Sequence, residues 1–309
     1  MDKKKTAFIL LTLILILSWV VNLSYFYVHQ LREPVFLKQY ISGRFYPKQN
    51  LEFDFYYITN RNEDPDVVSV EIPQLNQFMP NLRTFQYNTY GFHVLKFARV
   101  TMDPPFFDLI PAAGLRIDKL LVHYRNGLSQ EVSIGEFAFE PAPPQEKPAL
   151  KNLSSGGSSQ TGFSSFLAEK PMTIQKVDYP WRDILGEGLQ VYVKVAQDGS
   201  PAFDRARSDA KEDPLQQNLQ EENYSQDQLL EKTHFPLRLE KGESLILFYQ
   251  FDPIPANTLR AYDYCRVEAQ IQYQTEDGKQ DQAEFSIING PSFVEKDIRK
   301  ILKERRENQ

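Results

Sequence analysis

The longest uninterrupted apolar stretch lies at the N-terminus. Ala7 to Val28 contains no charged side chain, and its polar members Thr12, Ser18, Asn22 and Ser24 are small. As a helix these 22 residues reach about 33 Å at ~1.5 Å per residue, enough to cross a hydrocarbon layer of about 30 Å. Inside that layer every backbone amide needs an internal partner, and a helix supplies one. The stretch outruns the apolar region of a cleavable signal peptide, and it ends in the bulky Tyr25-Phe26-Tyr27-Val28 rather than a small-x-small cleavage site. Lys3, Lys4 and Lys5 precede it, whereas only His29 and Arg32, balanced by Glu33, follow closely. Positive charge flanking a spanning helix stays inside. The pattern therefore predicts a cytoplasmic tail at 1–6, a transmembrane signal-anchor helix at 7–28 embedded in lipid, and an extracytoplasmic remainder. Tyr25, Phe26 and Tyr27 fall where the outer interface would lie, a layer that suits amphipathic rings.

After the anchor the pattern changes from continuous to alternating. Leu51 to Ile58 alternates early and predicts a half-buried strand, followed by a polar turn at Thr59–Asp66. Val67 to Ile72 predicts another strand stopped by Pro73, and Phe92 to Thr101 a third ended by Asp103-Pro104-Pro105. The clearest hairpin spans Ile117 to Phe139 around Arg125-Asn126-Gly127. Asp118, Leu120, Val122 and Tyr124 share one face; Ile117, Lys119, Leu121 and His123 share the other. Asn-Gly between alternating strands predicts a type I′ turn, in which both central residues take positive φ.

The plan recurs about 150 residues on. Cys265, Val267, Ala269, Ile271 and Tyr273 form an apolar face, Glu276-Asp277-Gly278 makes the turn, and Ala283 to Ile288 returns. Upstream, two apolar strands between Leu237 and Phe251 flank a Lys-Gly-Glu turn. These patterns predict a mainly β chain with two tandem antiparallel β-sandwich-like domains, at 29–140 and 163–290. Between them, 141–162 is rich in Pro, Ser and Gly and reads as a linker, and 197–233 reads as a polar loop with a short amphipathic helix near Leu215 to Leu230. A C-terminal amphipathic helix is expected at 291–309. Ser292-Phe-Val-Glu295 has capping-box spacing, Val294, Ile298, Ile301 and Leu302 lie on one face, and Lys303, Arg305 and Arg306 suit its negative pole.

Charge narrows the partners. The chain carries −6; residues 1–6 carry +2 and 7–30 none, which leaves −8 for the rest. An acidic ectodomain argues against nucleic acid. With Cys265 the sole cysteine, neither a lipidated N-terminal cysteine nor an internal disulfide exists, and a bacterial envelope fits better than a disulfide-rich secretory setting.

Candidate chemistry is sparse. Cys265 belongs to an apolar strand face, the ordinary place for a structural thiol. His29, His93, His123 and His234 show no metal-ligand spacing, and His123 reads as a surface or half-buried residue. The acidic runs Glu63-Asp64-Pro65-Asp66 and Glu212-Asp213 read as solvated segments, the first with oxygen ligands that calcium would accept but without the twelve-residue loop pattern. Asn152-Leu-Ser154 and Asn223-Tyr-Ser225 match the glycosylation pattern. Trp181 is the one tryptophan outside the anchor, where Trp19 lies. No nucleotide, cofactor or hydrolase motif appears, so no catalytic, cofactor-binding or metal residue is assigned and no cofactor is expected. The expected function is a non-enzymatic, membrane-anchored scaffold that meets another envelope protein through edge strands and 197–233. The alternatives are a module for cell-wall polymer and, after it, a hydrolase whose carboxylates come together only in the fold.

Overall fold

The computed structural model describes residues 3–46, 49–61, 66–75, 78–142, 147–158, 160–185, 188–196, 228–251 and 263–307. The chain opens with helix α1 (Lys3–His29). Its portion Phe8–His29 is long and apolar enough to cross a membrane, and apart from the half-buried Phe26 and His29 its side chains are exposed.

Beyond α1 the fold is mainly β. In chain order the strands are β1 (Val35–Phe36), β2 (Gln39–Phe45), β3 (Leu51–Asn60), β4 (Val67–Glu71), β5 (Asn81–Tyr90), β6 (His93–Met102), β7 (Leu115–Tyr124) and β8 (Ser129–Pro141). Then come β9 (Leu150–Gly157), β10 (Thr161–Ala168), β11 (Met172–Asp178), the one-turn helix α2 (Arg182–Leu185) and β12 (Leu189–Ala196). The chain closes with β13 (Leu237–Leu239), β14 (Ser244–Phe251), β15 (Tyr264–Thr275), β16 (Gln280–Asn289) and helix α3 (Glu295–Glu307).

These strands form three sheets. One runs β1-β3-β6-β5 and another β12-β14-β10-β9; the third runs β13-β11-β15-β2-β8-β7-β4, with β16 also paired to β15. Phe53, Phe55, Tyr57 and Val100 of the first sheet pack on Val70, Val122 and Phe137 of the third. Val191, Leu245 and Leu247 of the second pack on Ile174, Val267, Ile271 and Phe285, at the other end of the third. Two layered cores therefore share one long sheet. The sharing occurs at a fork in β15. One edge of β15 pairs with β16 from Cys265 to Gln274. The other edge pairs in parallel with β2 at Tyr264–Arg266 and antiparallel with β11 at Gln270–Thr275. Val267 to Ala269 sit between the two partners.

The alternation of Cys265, Val267, Ala269, Ile271 and Tyr273 is buried as expected. In β7 a register shift between Ile117 and Lys119 turns Ile117 inward, onto the same side as Leu120, Val122 and Tyr124. Simple alternation had put Ile117 on the outer face. The turn after Tyr124 is also corrected. Gly127 has φ 83°, but Trp181 is the one described non-glycine residue with positive φ, so the loop is not type I′. Asn126 Oδ1 instead accepts the Leu128 amide at 3.1 Å, and the Gly127 amide donates to the Tyr124 carbonyl at 2.9 Å. The loop between β15 and β16 closes the same way, with Gly278 at φ 83° donating to the Thr275 carbonyl at 2.8 Å.

Two other expectations change. The linker expected at 141–162 contains strand β9, which pairs with β10 along its length. Backbone pairing needs no apolar side chain, and small residues permit close packing here: a Cβ on Gly162 would lie 2.5 Å from the Tyr249 hydroxyl. The strands flanking Lys241-Gly242 pass into different sheets, β13 beside β11 and β14 between β10 and β12. Helix α3 takes its cap two residues later than the expected box. Asp297 Oδ2 accepts the Val294 amide at 2.9 Å, and Val294 itself is exposed. Ile298, Ile301 and Leu302 carry α3 back onto the first core. Most of 197–233 lies outside the described residues, but Leu230 is buried in the second core, its amide 2.7 Å from the Val191 carbonyl.

Candidate functional site

The fork in β15 opens a cleft of about 410 Å³ on the outer side of the shared sheet. β2 contributes Ser42, Gly43 and Arg44; β8 contributes Glu136, Ala138 and Glu140; Arg116 comes from β7. Glu268 and Gln270 of β15, Glu284 of β16 and the turn Asp178-Tyr179-Pro180-Trp181 complete the lining. The cleft exists because β2 leaves the edge of β15 at Arg266 and β11 takes it up only at Gln270.

Glu268 stands in that gap. Its amide donates to Ser42 Oγ at 2.9 Å, and its Oε2 is buried with no described hydrogen-bond partner. Burial raises its pKa to about 7, the neighbouring Glu284 carboxylate adds to the rise, and Arg266 and Arg44 oppose it. Glu284 lies opposite Gln270 in the ladder, so Glu268 and Glu284 are diagonal neighbours on one face. Arg44, with its side chain 10% exposed, forms an ion pair with Glu284. The two carboxyl groups thus differ in surroundings: Glu284 pairs with the Arg44 guanidinium, and Glu268, enclosed by the fork, keeps its proton close to neutral pH. The lining carries two arginines against five acidic residues, so it disfavours an anionic ligand.

Trp181 forms an aromatic wall. Its φ of 54° is unusual for a non-glycine residue. The conformation is held because its carbonyl accepts the Ile184 and Leu185 amides at 2.9 and 2.8 Å, and its ring centroid lies 5.6 Å from that of Tyr40. The Arg182 guanidinium sits 5.8 Å from the Tyr179 ring centroid beside it. An aromatic plane, a neutral carboxylic acid, a primary amide and guanidinium groups together suit a hydroxyl-rich ligand.

A second exposed feature lies on the outer face of the first sheet. β5 is its edge strand, with Phe85 and Tyr87 41% and 46% exposed. Phe85 stacks on Phe97 at 5.0 Å, and Arg99, bonded to Asp54 at 2.8 and 2.9 Å, lies 5.8 Å from the Phe97 ring centre.

The residues weighed from the sequence are scattered. Cys265 is 2% exposed, and burial pushes its thiol up to about 12, where it stays protonated and inert. His29 bonds the Tyr25 carbonyl at 2.7 Å, and the buried His93 donates to the His29 carbonyl at 2.9 Å. His234 is exposed. His123 is half-buried and bridges Ser129 Oγ at 2.7 Å and Glu71 Oε1 at 2.8 Å. Those residue types in that order resemble a nucleophile-base-acid chain. Here they follow from register, with Ser69, His123 and Ser129 directly opposite one another on the side of the sheet away from Val70 and Val122. Of the acidic runs, 63–65 and 212–213 lie outside the described residues, and Asp66 is engaged by Lys96 at 2.6 Å and Arg125 at 3.2 Å. Asn152 is exposed on β9, and Asn223 lies outside the described residues. Among the described residues no group of three or more His, Cys, Asp or Glu could hold a metal ion.

The cleft residues Arg44, Glu268, Glu284 and Trp181 had no signal as a set, because they come together only when β2 and β11 share one edge of β15. The nearest hint was a charge on the outer face of an otherwise well-patterned strand. No family profile and no curated protein matches the chain. Two solved structures described as marsupial T cell receptor align with 81% and 83% of this chain and 92% and 100% of theirs, at 7% and 9% identity and TM-scores of 0.18 and 0.21. Superpositions that loose carry no argument about fold or function.

Proposed function

We propose that this chain is a membrane-tethered, extracytoplasmic binding protein of a bacterial envelope, and that its ligand is a hydroxyl-rich polymer segment such as wall glycan. The observation that carries this reading is the fork cleft, which Trp181 lines together with Arg44, Glu268, Gln270 and Glu284. A sugar face stacks on an aromatic plane while carboxyl, amide and guanidinium groups meet its hydroxyls. The acidic lining turns away phosphate-rich polymers and tolerates amino groups. The anchor keeps the cleft on the side of the membrane where such polymers lie.

The test is retention of the detergent-solubilised full chain on insoluble wall glycan. Trp181→Ala should weaken retention about tenfold, which corresponds to one lost contact of about 1.4 kcal/mol. Equal retention of wild type and variant, or none of either, would remove the cleft from the account. Release of soluble fragments during the assay would convert the reading to a hydrolase, with Glu268 as the proton donor and Glu284 as the second carboxyl group.

The second reading is a scaffold for another envelope protein. It is favoured by the exposed edge of β5 with Phe85 and Tyr87, since unpaired backbone beside exposed aromatics accepts an added strand. Cross-linking from position 85 in intact membranes should then capture one discrete partner, and a purely monomeric profile would remove this reading.

A further inference from the structure

Three loops of the first core close around the point where α1 ends. The Leu31 amide and carbonyl both bond the Asn60 side chain, each at 2.8 Å, as a strand partner would. Glu33 Oε2 accepts Gln130 Nε2 at 2.9 Å, beside the β7–β8 turn. Phe92, at the tip of the β5–β6 hairpin, packs on α1 itself, with ring centroids 5.3 Å from His29, 5.6 Å from Tyr25 and 6.1 Å from Phe26. Leu31 is buried in the first core two residues after the helix ends. No free stalk separates helix and body.

This packing fixes depth. Tyr25 lies one helical turn, about 5–6 Å, inside the end of α1. If Phe8–His29 spans the bilayer, Tyr25 and Phe26 occupy the outer interfacial layer, and whatever packs on them occupies it too. Phe92 does so. Leu128, 64% exposed, lines the cavity beside Leu31 to Pro34 together with Asn126. Arg32 and Arg61 are exposed on the same rim, and the Arg61 amide is bonded to the Phe92 carbonyl at 2.8 Å.

We infer that this end of the first core is a lipid-contacting face, with Phe92 and Leu128 seated in the outer headgroup layer and Arg32 and Arg61 at phosphate level. The inference rests on α1 crossing the membrane, and it adds that the body stands on the bilayer at a fixed attitude. The second core, reached along β15 away from Tyr264, is then held clear of the surface. Glu33 offsets part of the positive charge on the rim, so the contact is mainly apolar, and a phosphatidylcholine surface serves as well as an anionic one.

The experiment uses the full chain in phosphatidylcholine vesicles. A single cysteine is introduced at Leu128, Arg61, Ile16 or Lys241 and labelled with an environment-sensitive fluorophore. Cys265 is buried, so only the new site reacts in folded protein. Lys241 sits in the turn after β13, which lies beside the far end of β15 through β11, and reports the distal position. Lipid brominated near the top of the acyl chain should quench 128 and 61 and leave 241 unchanged, while lipid brominated deep in the chain quenches 16. Quenching at 16 with 128 and 61 behaving like 241 overturns the lipid-contacting face and leaves the spanning helix intact. No quenching at 16 overturns the spanning helix, and the lipid-contacting face with it.

Discussion

Glu268→Gln isolates the energetics of the cleft. Glu268 carries a pKa of about 7 in the folded chain against an ordinary value of 4.5. Between those values the folded carboxyl keeps a proton that the unfolded chain has released. Its contribution to stability is therefore full below pH 4.5 and is lost as pH climbs through 7, the direction required for a raised acid. At 1.36 kcal/mol per pH unit, roughly 2–3 kcal/mol of this falls between pH 5 and pH 8. Glutamine has the same shape and no charge, so the variant lacks this dependence. The Arg44–Glu284 pair remains in both proteins, and titrating groups remote from Glu268 cancel in the difference between them. Thermal unfolding in detergent is the assay. At roughly 2–4 °C per kcal/mol, the variant should gain about 5–10 °C on wild type in going from pH 5 to pH 8. Parallel melting curves for the two proteins across that range would show that Glu268 is solvated rather than enclosed by the fork, and would refute the reasoning.

Three further outcomes follow from the packing. Gly135 has φ 98°, and a Cβ there would lie 2.1 Å from the Gln39 carbonyl oxygen, so Gly135→Ala should cost at least about 2 kcal/mol by parting β8 from β2; an unchanged melting temperature would contradict that register. Asn60→Ala leaves the Leu31 amide and carbonyl without their partner, at about 1–3 kcal/mol. Hydrogen exchange at Leu31 should accelerate, and continued protection would mean that the helix is held to the body some other way. Cys265 should resist a thiol reagent in the native full chain and react once denaturant is added; immediate reaction would contradict its place in the second core.

The sequence was legible wherever local pattern decides the structure. Continuous apolarity marks α1, and period-two alternation marks β3, β6 and the hairpins β7–β8 and β15–β16. It was illegible where backbone pairing does not depend on side-chain polarity. β9, built of Leu-Lys-Asn-Leu-Ser-Ser-Gly-Gly, resembles a linker because an edge strand can be exposed on most of its residues. Ile117 went to the wrong face because a bulge adds a residue without any mark in the alternation. Asn126-Gly127 suggested a type I′ turn, yet the Asn126 side chain capped Leu128 instead. The cleft was hidden for a different reason. Arg44 and Glu284 are 240 positions apart in the chain, and nothing local states that β2 and β11 divide one edge of β15. Long-range register between non-consecutive strands is a property of the packed whole.

The central claim is a tethered body on the far side of the membrane, and labelling at Lys241→Cys tests it most directly. The variant is expressed as the full chain, and intact cells are treated with a maleimide that cannot cross membranes. The account predicts labelling without permeabilisation, with the labelled chain sedimenting in the membrane fraction at its full 36.0 kDa. Labelling only after the cells are opened, or a labelled chain released into the medium, would contradict it.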